Sequence, residues 1–432
     1  KEKTGEISIA MVEFRPTSTY DGNFGFDWLR VDDNKLKEQS LYSEEQPYDS
    51  IIEGGYGDGK TDLTGGKNGS AYKKLKSEYK MIVVNMQDKS DGSKRTKEYF
   101  VPYLSIYPKS YIDTLTNTDQ KNKPLFEAEL ALLVDIGVDE IDSLEFKYDK
   151  SIFDLDKVKL QDTKRTAAGK QFSMDKTIKI TCKKEIPDLS SGEISVYAYP
   201  KDSKGKPAAE REAMRSLAGK IQVLPNGKEQ RKKQKFVLIC VKTQQGEGIF
   251  NKDEIITLQH TLHQALVEAE IEQYQKDKKG EIKLDKDGRP QRIGLDLTND
   301  SNFYKTYVKV EGIINEDKNH GKMFSYLRGT FLKINPQYNN YFTVFVFNNK
   351  TYDGAVGQIE KNGVKNLVLF IDRNDKTMSH EALHGLGLHH THRDETPIKE
   401  PGRKYIYPNG NKQPSKATDN IMGYNGALRK TT

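Results

Sequence analysis

The sequence predicts a multidomain protein in which two β-rich regions precede a region of mixed strands and helices. Its 432 residues suffice for about two to four domains, each with its own core. Short segments of alternating apolar and polar residues recur through the first half, as in strands with one buried face. From Phe236 the pattern changes to apolar strands that alternate with helices, which is typical of an α+β or α/β domain. The predicted domains are residues 1–118, 125–226 and 236–432.

Composition narrows the class of protein. The 69 Lys and Arg residues are interspersed with 63 Asp and Glu residues, and the net charge is only +6. Such charges form solvated faces rather than a nucleic-acid-binding stripe, and no apolar run is long enough to span a bilayer. We therefore expect no nucleic-acid partner and no membrane span. The two cysteines, Cys182 and Cys240, lie in strand-like segments and are predicted to be buried free thiols.

Residues 1–118 are predicted to form a β-rich domain. A strand begins at Ile7–Val12, and Met81–Val84 with Tyr99–Val101 fits a hairpin that turns near Asp91-Gly92. Between these strands, Gly54–Thr61 matches the spacing of a phosphate-binding loop. That motif needs a buried strand before it and a long helix after it, whereas two glycines follow almost at once. We interpret this segment as a surface loop.

The second domain, residues 125–226, follows a polar linker from Thr114 to Lys123. Its strands are short and alternating, which favours an immunoglobulin-like sandwich with a structural or partner-presenting role. The basic cluster Lys228–Lys235 is interpreted as a second linker, because no aromatic residues are interleaved with its charges. The predicted strands are 129–134, 144–148, 158–160, 177–182 and 193–199.

The third domain, residues 236–432, begins with a buried strand at Phe236–Val241. A helix over about residues 252–275 is predicted from an apolar stripe along one of its sides. This helix carries His260 and His263, which we assign to a helix surface or to packing on a sheet rather than to a metal. The later segment Asp285-Lys286-Asp287-Gly288 is interpreted as a turn rather than a calcium loop.

Five of the eight histidines lie within thirteen residues near the C-terminus. On a helix, His380 and His384 are one turn apart and project from the same face, so both imidazoles can reach one metal ion. Glu381 stands beside them, where it can act on a bound water. Gly387 can end the helix because glycine accepts a positive φ, and the chain can then return His390 as a third ligand. Three nitrogen ligands leave one zinc position open, as in catalytic sites.

This run has the form H-E-x-x-H-x-x-G-x-x-H, and with the downstream segment Asp419–Tyr424 it resembles the metzincin zinc peptidases. The resemblance covers the third domain and implies a metzincin-type catalytic domain. It implies Zn²⁺ bound by the three histidines and a methionine turn at Met422 beneath the metal. Tyr424 is similar to the tyrosine that astacin- and serralysin-type members use as an additional, swinging zinc ligand.

The resemblance implies a zinc-dependent endopeptidase that acts on a protein or peptide substrate. Glu381 would be the general base that takes a proton from the zinc-bound water and returns it to the leaving amine. Tyr424 would hydrogen-bond the developing oxyanion, and Met422 would be a packed floor. His389 and His392 flank the third ligand and are expected to face solvent. His392 is the one alternative to His390 as that ligand, and the spacing of the motif favours His390.

In the same family, an extended substrate lies along an antiparallel edge strand. The resemblance implies that this strand is Gly354–Gln358, between predicted strands 341–347 and 366–371. An edge strand offers unpaired N–H and C=O groups, so an extended peptide can add to it as a new strand. Asn374 or Asp375 is predicted to cap the helix that carries the first two histidines.

The N-terminal segment carries a second resemblance. Glu13–Pro16 followed by Phe24–Arg30 resembles the leading segments of Bacteroidota proteins associated with type VI secretion. It implies a toxin or effector that is secreted or delivered outside the producing cell, with a partner in the secretion apparatus. No signal peptide is visible, which leaves the export route open. The alternative is that Trp28 and its aromatic neighbours are the core of a small β-domain.

Two other functions stay open from the sequence. One is a non-catalytic binding or delivery protein with a structural zinc site, against which Glu381 argues because a structural site has no use for an acid there. The other is an amidase that acts on peptidoglycan peptides, which would use the same water chemistry.

Overall fold

The computed structural model describes residues 7–30, 47–56, 62–87, 94–115, 123–160, 164–165, 171–315, 322–392, 404–413, 416 and 420–423. This part of the chain is β-rich, with several sheets and eight α-helices. Among these residues, no helix is both long enough and apolar enough to cross a lipid bilayer. The chain divides into a first unit of Lys1–Arg231, His263–Leu266 and Thr391–Thr432, and a second unit of Lys232–Leu262 and Val267–His390.

The first unit contains most of the strands. They are β1 (Ile7–Ser8), β2 (Ala10–Pro16), β3 (Gly25–Asp27), β4 (Gly54–Tyr56), β5 (Asp62–Thr64), β6 (Met81–Gln87), β7 (Lys94–Phe100), β8 (Tyr103–Ser105), β9 (Glu127–Ile136), β10 (Ile141–Lys147), β11 (Phe153–Leu155), β12 (Lys159–Leu160), β13 (Gln171–Cys182), β14 (Glu193–Pro200) and β15 (Ser216–Val223). Its short helices are α1 (Tyr48–Ile51), α2 (Ser70–Lys76), α3 (Lys109–Ile112) and α4 (Ala208–Met214). One-turn 3-10 helices lie at Ser190–Gly192, Lys201–Ser203 and Ile421–Gly423.

Two sheets of this unit share one apolar core. Their strand orders are β12-β10-β14-β15-β8-β3 and β11-β13-β9-β2. Leu132 and Val134 of β9 and Ile194 and Val196 of β14 are buried in the same cluster, which also contains Trp28. Each such side chain contributes about 1.5–3 kcal/mol by leaving water. Trp28 and its aromatic neighbours are thus core residues, as the second interpretation of that segment expected.

The strands expected across residues 129–199 are confirmed as β9, β10, β12, β13 and β14. The hairpin of β6 and β7 is also confirmed, with Met81 paired to Phe100; its predicted turn at Asp91-Gly92 lies outside the described residues. β2 pairs with β9, and β8 with β15. Strands from residues 1–118 and from residues 125–226 therefore lie in the same two sheets.

The first part of Gly54–Thr61 is strand rather than loop. β4 pairs in antiparallel fashion with β5, so Gly54–Tyr56 is an ordered segment. Residues 57–61 lie outside the described residues. The helix that a phosphate-binding loop requires is absent from the residues that directly follow β4 and are described, because Asp62–Thr64 is a strand.

Both cysteines are free and buried, as predicted. Burial raises the pKa of the Cys182 and Cys240 thiols to about 11. The thiolate form that reacts with oxidants and metals is therefore disfavoured at both positions.

The second unit is built on a mixed sheet. Its strands are β16 (Lys232–Thr243), β17 (Gly246–Glu247), β18 (Val267–Glu272), β19 (Gly294–Asp296), β20 (Phe342–Val346), β21 (Gly357–Ile359) and β22 (Asn366–Leu369). Its helices are α5 (Lys252–His263, whose last residue belongs to the first unit), α6 (Ser301–Tyr307), α7 (Lys322–Ile334) and α8 (Thr377–Gly385), with 3-10 turns at Val310–Gly312 and Pro336–Tyr338. The sheet order is β17-β16-β20-β22-β21.

Helices cover both faces of this sheet. β16, β20 and β22 are parallel, which explains their continuous apolar sequences. Phe345 and Val368 share a cluster with Phe324 and Phe331 of α7 on one face. On the other face, Phe342 lies against α8. α8 is therefore seated on β20, β21 and β22.

The edge strand expected at Gly354–Gln358 is present but begins and ends later, as β21 at Gly357–Ile359. It pairs in antiparallel fashion with β22, with Gly357 opposite Leu369. It is the last strand in the sheet order, so one of its edges is unpaired among the described strands.

The prediction of one helix over residues 252–275 is correct for its first half and wrong for its second half. α5 ends at His263, Leu266 adopts a left-handed φ of 55°, and β18 follows. Val267–Glu272 alternates apolar and acidic residues, and this period of two fits a strand. β18 pairs in parallel with the first half of β16, which satisfies the main-chain groups that a helix would have bonded internally.

Two turn and linker interpretations have different outcomes. The basic cluster Lys228–Lys235 is not a linker throughout, because β16 begins at Lys232. Lys233 Nζ lies 2.9 Å from Glu270 of the neighbouring β18, so opposite charges accompany the strand pairing. The turn at residues 285–288 is confirmed, since Asp285 Oδ1 accepts from the Asp287 and Arg289 main-chain N–H groups at 2.8 and 2.9 Å.

Candidate metal centre

α8 carries the first two histidines, and it begins later than expected. Its N-cap position is Lys376, so neither Asn374 nor Asp375 is the cap. Asn374 instead closes the preceding turn: its Oδ1 accepts from the Lys376 N–H at 2.9 Å and from the Thr377 hydroxyl at 3.3 Å. The side chain of Asn374 therefore fixes the entry to the helix from one turn outside it.

The end of α8 is as predicted. Gly387 has a φ of 99°, a conformation that residues with a Cβ rarely adopt. Its N–H donates to the His384 carbonyl at 2.9 Å, and the Leu388 N–H donates to the Leu383 carbonyl at 3.0 Å. This pair of bonds is a Schellman motif, which reverses the chain and directs the following residues back along the helix.

Two glycines allow α8 to lie close against the sheet. A Cβ at Gly385 would lie 2.4 Å from the Phe342 ring. A Cβ at Gly357 of β21 would lie 2.5 Å from Thr377 Cγ2 and 3.1 Å from Glu381 Cγ. A larger residue at either position would push the helix away from the strands. The side chain of Glu381 is therefore a direct neighbour of the edge strand.

Three imidazole nitrogens converge at this helix. The Nε2 atoms of His380, His384 and His390 lie 3.2, 3.2 and 3.0 Å from one another. Within the described residues, they form the group of histidine, cysteine or acidic side chains that could hold a metal ion. His380 and His384 are 7% and 9% exposed, whereas His390 is more open, so the cluster is reachable from one side.

The spacing of these nitrogens fits a tetrahedral ion. Zinc with bonds of about 2.0–2.1 Å to imidazole separates its ligand nitrogens by about 3.3 Å. The observed separations of 3.0–3.2 Å are close to that value. Three nitrogens at the corners of one face leave the fourth corner free for a water or a substrate oxygen.

The orientation of His384 is set by the turn that follows it. Its Nδ1 lies 2.7 Å from the Leu388 carbonyl oxygen, which only accepts hydrogen bonds, so Nδ1 donates. The lone pair of the neutral ring is then on Nε2, the nitrogen that faces His380 and His390. A hydrogen bond of this kind fixes the tautomer and the direction of a metal-binding histidine.

Glu381 follows His380 directly on α8, and its side chain is half-buried. Burial raises the pKa of its carboxyl group to about 8, because a carboxylate loses hydration there. A cation held by the neighbouring histidines would favour the charged carboxylate and so act in the opposite direction.

The remaining predicted site residues differ in how far the structure describes them. Tyr424 lies outside the described residues. Met422 is 2% exposed in the 3-10 turn Ile421–Gly423 of the first unit, where its N–H donates to Asn420 Oδ1 at 2.8 Å. It is thus a buried residue in a tight turn.

The expectation that His389 and His392 face solvent is wrong for His392, which is 2% exposed. The chain there is drawn inward because the adjoining Thr391 is hydrogen-bonded through both its N–H and its carbonyl. His389 is partly exposed and bonds through Nδ1 to Asn362 Nδ2 at 2.8 Å. The group of possible metal ligands in the described residues does not include His260 or His263. His263 is buried, with its ring edge-on to Tyr107.

Sequence reasoning missed the ion pair that holds the loop leading into α8. Arg373, in the loop between β22 and α8, forms a two-point ion pair with Glu254, with Nε and Nη2 each 2.8 Å from a carboxylate oxygen. Arg373 also donates to the main-chain carbonyls of Phe370 and Ile249 at 3.1 and 2.6 Å. A single Arg after a strand gives no signal in the sequence, because its partner Glu254 lies far away in the chain, on α5.

A scan against models of protein families matches no family, and a search of the curated proteins finds no match. The geometry of these side chains therefore carries the functional conclusion.

Proposed function

We propose that the protein is a zinc-dependent endopeptidase of the metzincin type. The observation that carries this proposal is the convergence of the three Nε2 atoms within 3.2 Å of one another, next to Glu381. A helix that supplies two ligands and a general base, followed by a turn that returns a third ligand, is the arrangement of a hydrolytic zinc site. The substrate would be a protein or peptide.

The donor set favours zinc. Neutral imidazoles suit zinc, and the spacing of the three nitrogens supports tetrahedral coordination with one position free. When bound, zinc would supply a water of lowered pKa and would polarise a substrate carbonyl.

Glu381 is proposed as the general base. It follows His380 directly in sequence, and its Cγ lies against Gly357 of the edge strand. Glu381 is therefore next to His380 in the chain and next to any peptide that lies along β21. From this place it takes a proton from the attacking water and returns it to the leaving amine.

The edge strand is proposed to bind the substrate backbone. Val356 and Glu360 direct their main-chain hydrogen bonds toward β22, with N···O distances of 3.0 and 3.1 Å. Because alternate residues of an antiparallel strand face opposite edges, the N–H and C=O groups of Gly357 and Ile359 point to the open edge. An extended peptide could pair with these groups as an additional strand.

The proposed roles of Met422 and Tyr424 rest on the resemblance to metzincins. Met422 is proposed as the packed floor of a methionine turn, which its burial supports. Tyr424 is proposed to hydrogen-bond the developing oxyanion.

The two sheets of the first unit are proposed as an immunoglobulin-like sandwich, supported by their shared core. We extend the proposal to an effector delivered outside the producing cell, with the N-terminal strands as the contact for the secretion apparatus.

The deciding experiment compares Glu381→Gln with Glu281→Gln, a change at an exposed residue of the hairpin after β18. Removal of a general base lowers the rate by about 10²- to 10⁴-fold. Casein cleavage by Glu381→Gln should fall by that factor while zinc content, measured by atomic absorption, stays at one ion per chain. Glu281→Gln should cleave at the wild-type rate, and chelation followed by added zinc should abolish and then restore wild-type activity.

Equal cleavage by both variants would remove the mechanism. A wild-type protein that binds zinc but releases nothing from casein or from purified sacculi would instead be a binding or delivery protein with a structural site. Release of peptides from sacculi alone would identify an amidase. Tyr424→Phe, assayed in parallel, should lower turnover without loss of metal.

A further inference from the structure

The loop between β21 and β22, residues 360–365, contacts the C-terminal end of α8. The base of the loop is closed by the Glu360 N–H, which donates to the Asn366 carbonyl at 3.1 Å. At its tip, the Gly363 N–H donates to the His384 carbonyl at 2.9 Å. Gly363 has a φ of 79°, which glycine adopts freely. The loop that follows the edge strand is therefore joined to the last turn of α8 by a main-chain hydrogen bond.

Asn362, beside that glycine, binds the segment that follows the helix. Its Nδ2 donates to the Leu388 carbonyl at 3.3 Å and lies 2.8 Å from His389 Nδ1. Because the carbonyl oxygen only accepts, the amide group that faces it is the NH2, and the two hydrogens of this group can serve both acceptors. One side chain of the β21–β22 loop thus holds two successive residues between the second and third histidines of the cluster.

The Leu388 carbonyl is also the group that orients His384. It accepts from His384 Nδ1 at 2.7 Å as well as from Asn362 Nδ2, and the two lone pairs of a carbonyl oxygen allow both bonds. The Leu388 side chain is 42% exposed, so apolar burial does little to hold this residue. The direction of the carbonyl therefore depends on hydrogen bonds, and Asn362 supplies one of them.

We infer that Asn362 is a positioning residue for the metal centre. It holds the carbonyl that orients His384, and it holds the ring of His389, whose main chain continues into His390. Asn362 is not itself one of the three candidate ligands. It belongs to the second unit, as do residues 387–389 and the three histidines. The inference rests on the metal site of the proposed function, but it does not require that the site hydrolyses peptides.

The variant that tests this role is Asn362→Leu in the full chain. Leucine is close to asparagine in size, has no hydrogen-bond donor in its side chain, and adds no charge near the cation. In the described part of the chain, Asn362 is not among the residues with a positive φ, so its main chain accepts leucine without strain. The substitution therefore removes the two side-chain hydrogen bonds and leaves the loop otherwise intact.

The measurements are zinc affinity, by competition with a chromophoric chelator, and the visible absorption of bound Co²⁺, which reports the ligand set. Loss of the hydrogen bond that supports a ligating histidine weakens metal binding by about 10- to 100-fold. Asn362→Leu should lower the affinity for zinc within that range. The Co²⁺ absorption should change in position and intensity, because the directions of the ligand nitrogens are no longer fixed.

Two controls separate positioning from general effects of substitution. Asn340→Leu makes the same chemical change at an exposed asparagine before β20. Gly354→Ala adds a methyl group in open space at a φ of 78°, so it strains the main chain of the second unit outside the β21–β22 loop. Both should bind zinc and Co²⁺ as the wild type does, even where circular dichroism shows a lower melting temperature for Gly354→Ala.

The outcomes are distinguishable. Wild-type affinity and an unchanged Co²⁺ spectrum in a folded Asn362→Leu protein overturn the inference and leave the proposed function intact, and so does an equal loss of affinity in the two controls. If Asn362→Leu does not fold, Asn362→Ala decides by the same criteria. A wild-type protein that binds zinc without cleaving any substrate overturns the proposed function alone, and a wild-type protein that binds neither ion overturns both.

Discussion

His384 Nδ1 lies 2.7 Å from the main-chain carbonyl oxygen of Leu388. Because that oxygen only accepts, the ring presents the lone pair of Nε2 to the other two histidines. The carbonyl is in reach because Gly387 reverses the chain at the end of α8. One glycine therefore both ends the helix and orients a candidate metal ligand.

Replacement of Gly387 by alanine should impair stability and metal binding together. A left-handed φ costs a residue with a Cβ about 1–2 kcal/mol, and relief of that strain moves the Leu388 carbonyl. Loss of a hydrogen bond to a ligating histidine weakens metal affinity by about 10- to 100-fold. Urea unfolding and zinc competition would measure the two effects in Gly387→Ala.

Gly280→Ala is the matched control, since Gly280 also has a positive φ, of 84°, and open space around it. We expect a similar loss of unfolding free energy in this variant and an unchanged affinity for zinc. Equal zinc affinities in the two variants would show that the turn at Gly387 does not orient a ligand.

If a substrate pairs with β21 as an added strand, N-methylation should lower kcat/KM at every second position of the peptide. Gly357 and Ile359 face the open edge, and Val356 and Glu360 face β22. A substrate amide that donates to this edge loses its bond when it is N-methylated, and one such bond is worth about 0.5–1.5 kcal/mol, or roughly a 2- to 10-fold change in kcat/KM.

The measurement is kcat/KM for a series of peptides that each carry one N-methyl group at a successive position. Sensitive and insensitive positions should alternate, so each peptide is the control for its neighbour. Uniform sensitivity along the series, or none, would argue against substrate binding as an added strand.

Removal of one partner from the buried ion pair of Arg373 and Glu254 should strongly destabilise the second unit. Glu254 is 1% exposed, and both of its carboxylate oxygens bond to Arg373. Glu254→Gln leaves the guanidinium of Arg373 without a charge partner, which typically costs about 3–5 kcal/mol. The change in unfolding free energy would be measured by urea unfolding, monitored by far-UV circular dichroism.

The exposed pair of Lys350 and Asp372, with 3.2 Å between Nζ and Oδ2, is the control. Asp372→Asn should change the unfolding free energy by less than about 1 kcal/mol, because solvent screens an exposed pair. A loss below about 1 kcal/mol in Glu254→Gln as well would mean that the buried pair contributes no more than a surface one.

Local patterns predicted the parts of the fold that local forces decide. The strands of residues 129–199 and the end of α8 at Gly387 follow from alternation and from the freedom of glycine, and both are confirmed. The helix over residues 252–275 was a wrong prediction because its apolar stripe continued past His263. The chain leaves the helix there and gains parallel pairing between β18 and β16. The apolar stripe carried no information about β16, because this partner strand lies elsewhere in the sequence.

The sequence by itself determined that two imidazoles share one face of a helix, that an acid stands beside them, and that a glycine reverses the chain before a third histidine. Helical periodicity and the steric freedom of glycine act over a few residues, so they can be read locally. Only the tertiary structure decided that Glu381 lies against Gly357 and that Arg373 pairs with Glu254. These contacts join segments far apart in the chain, and they depend on close packing and on a buried ion pair that exist only once the fold has formed.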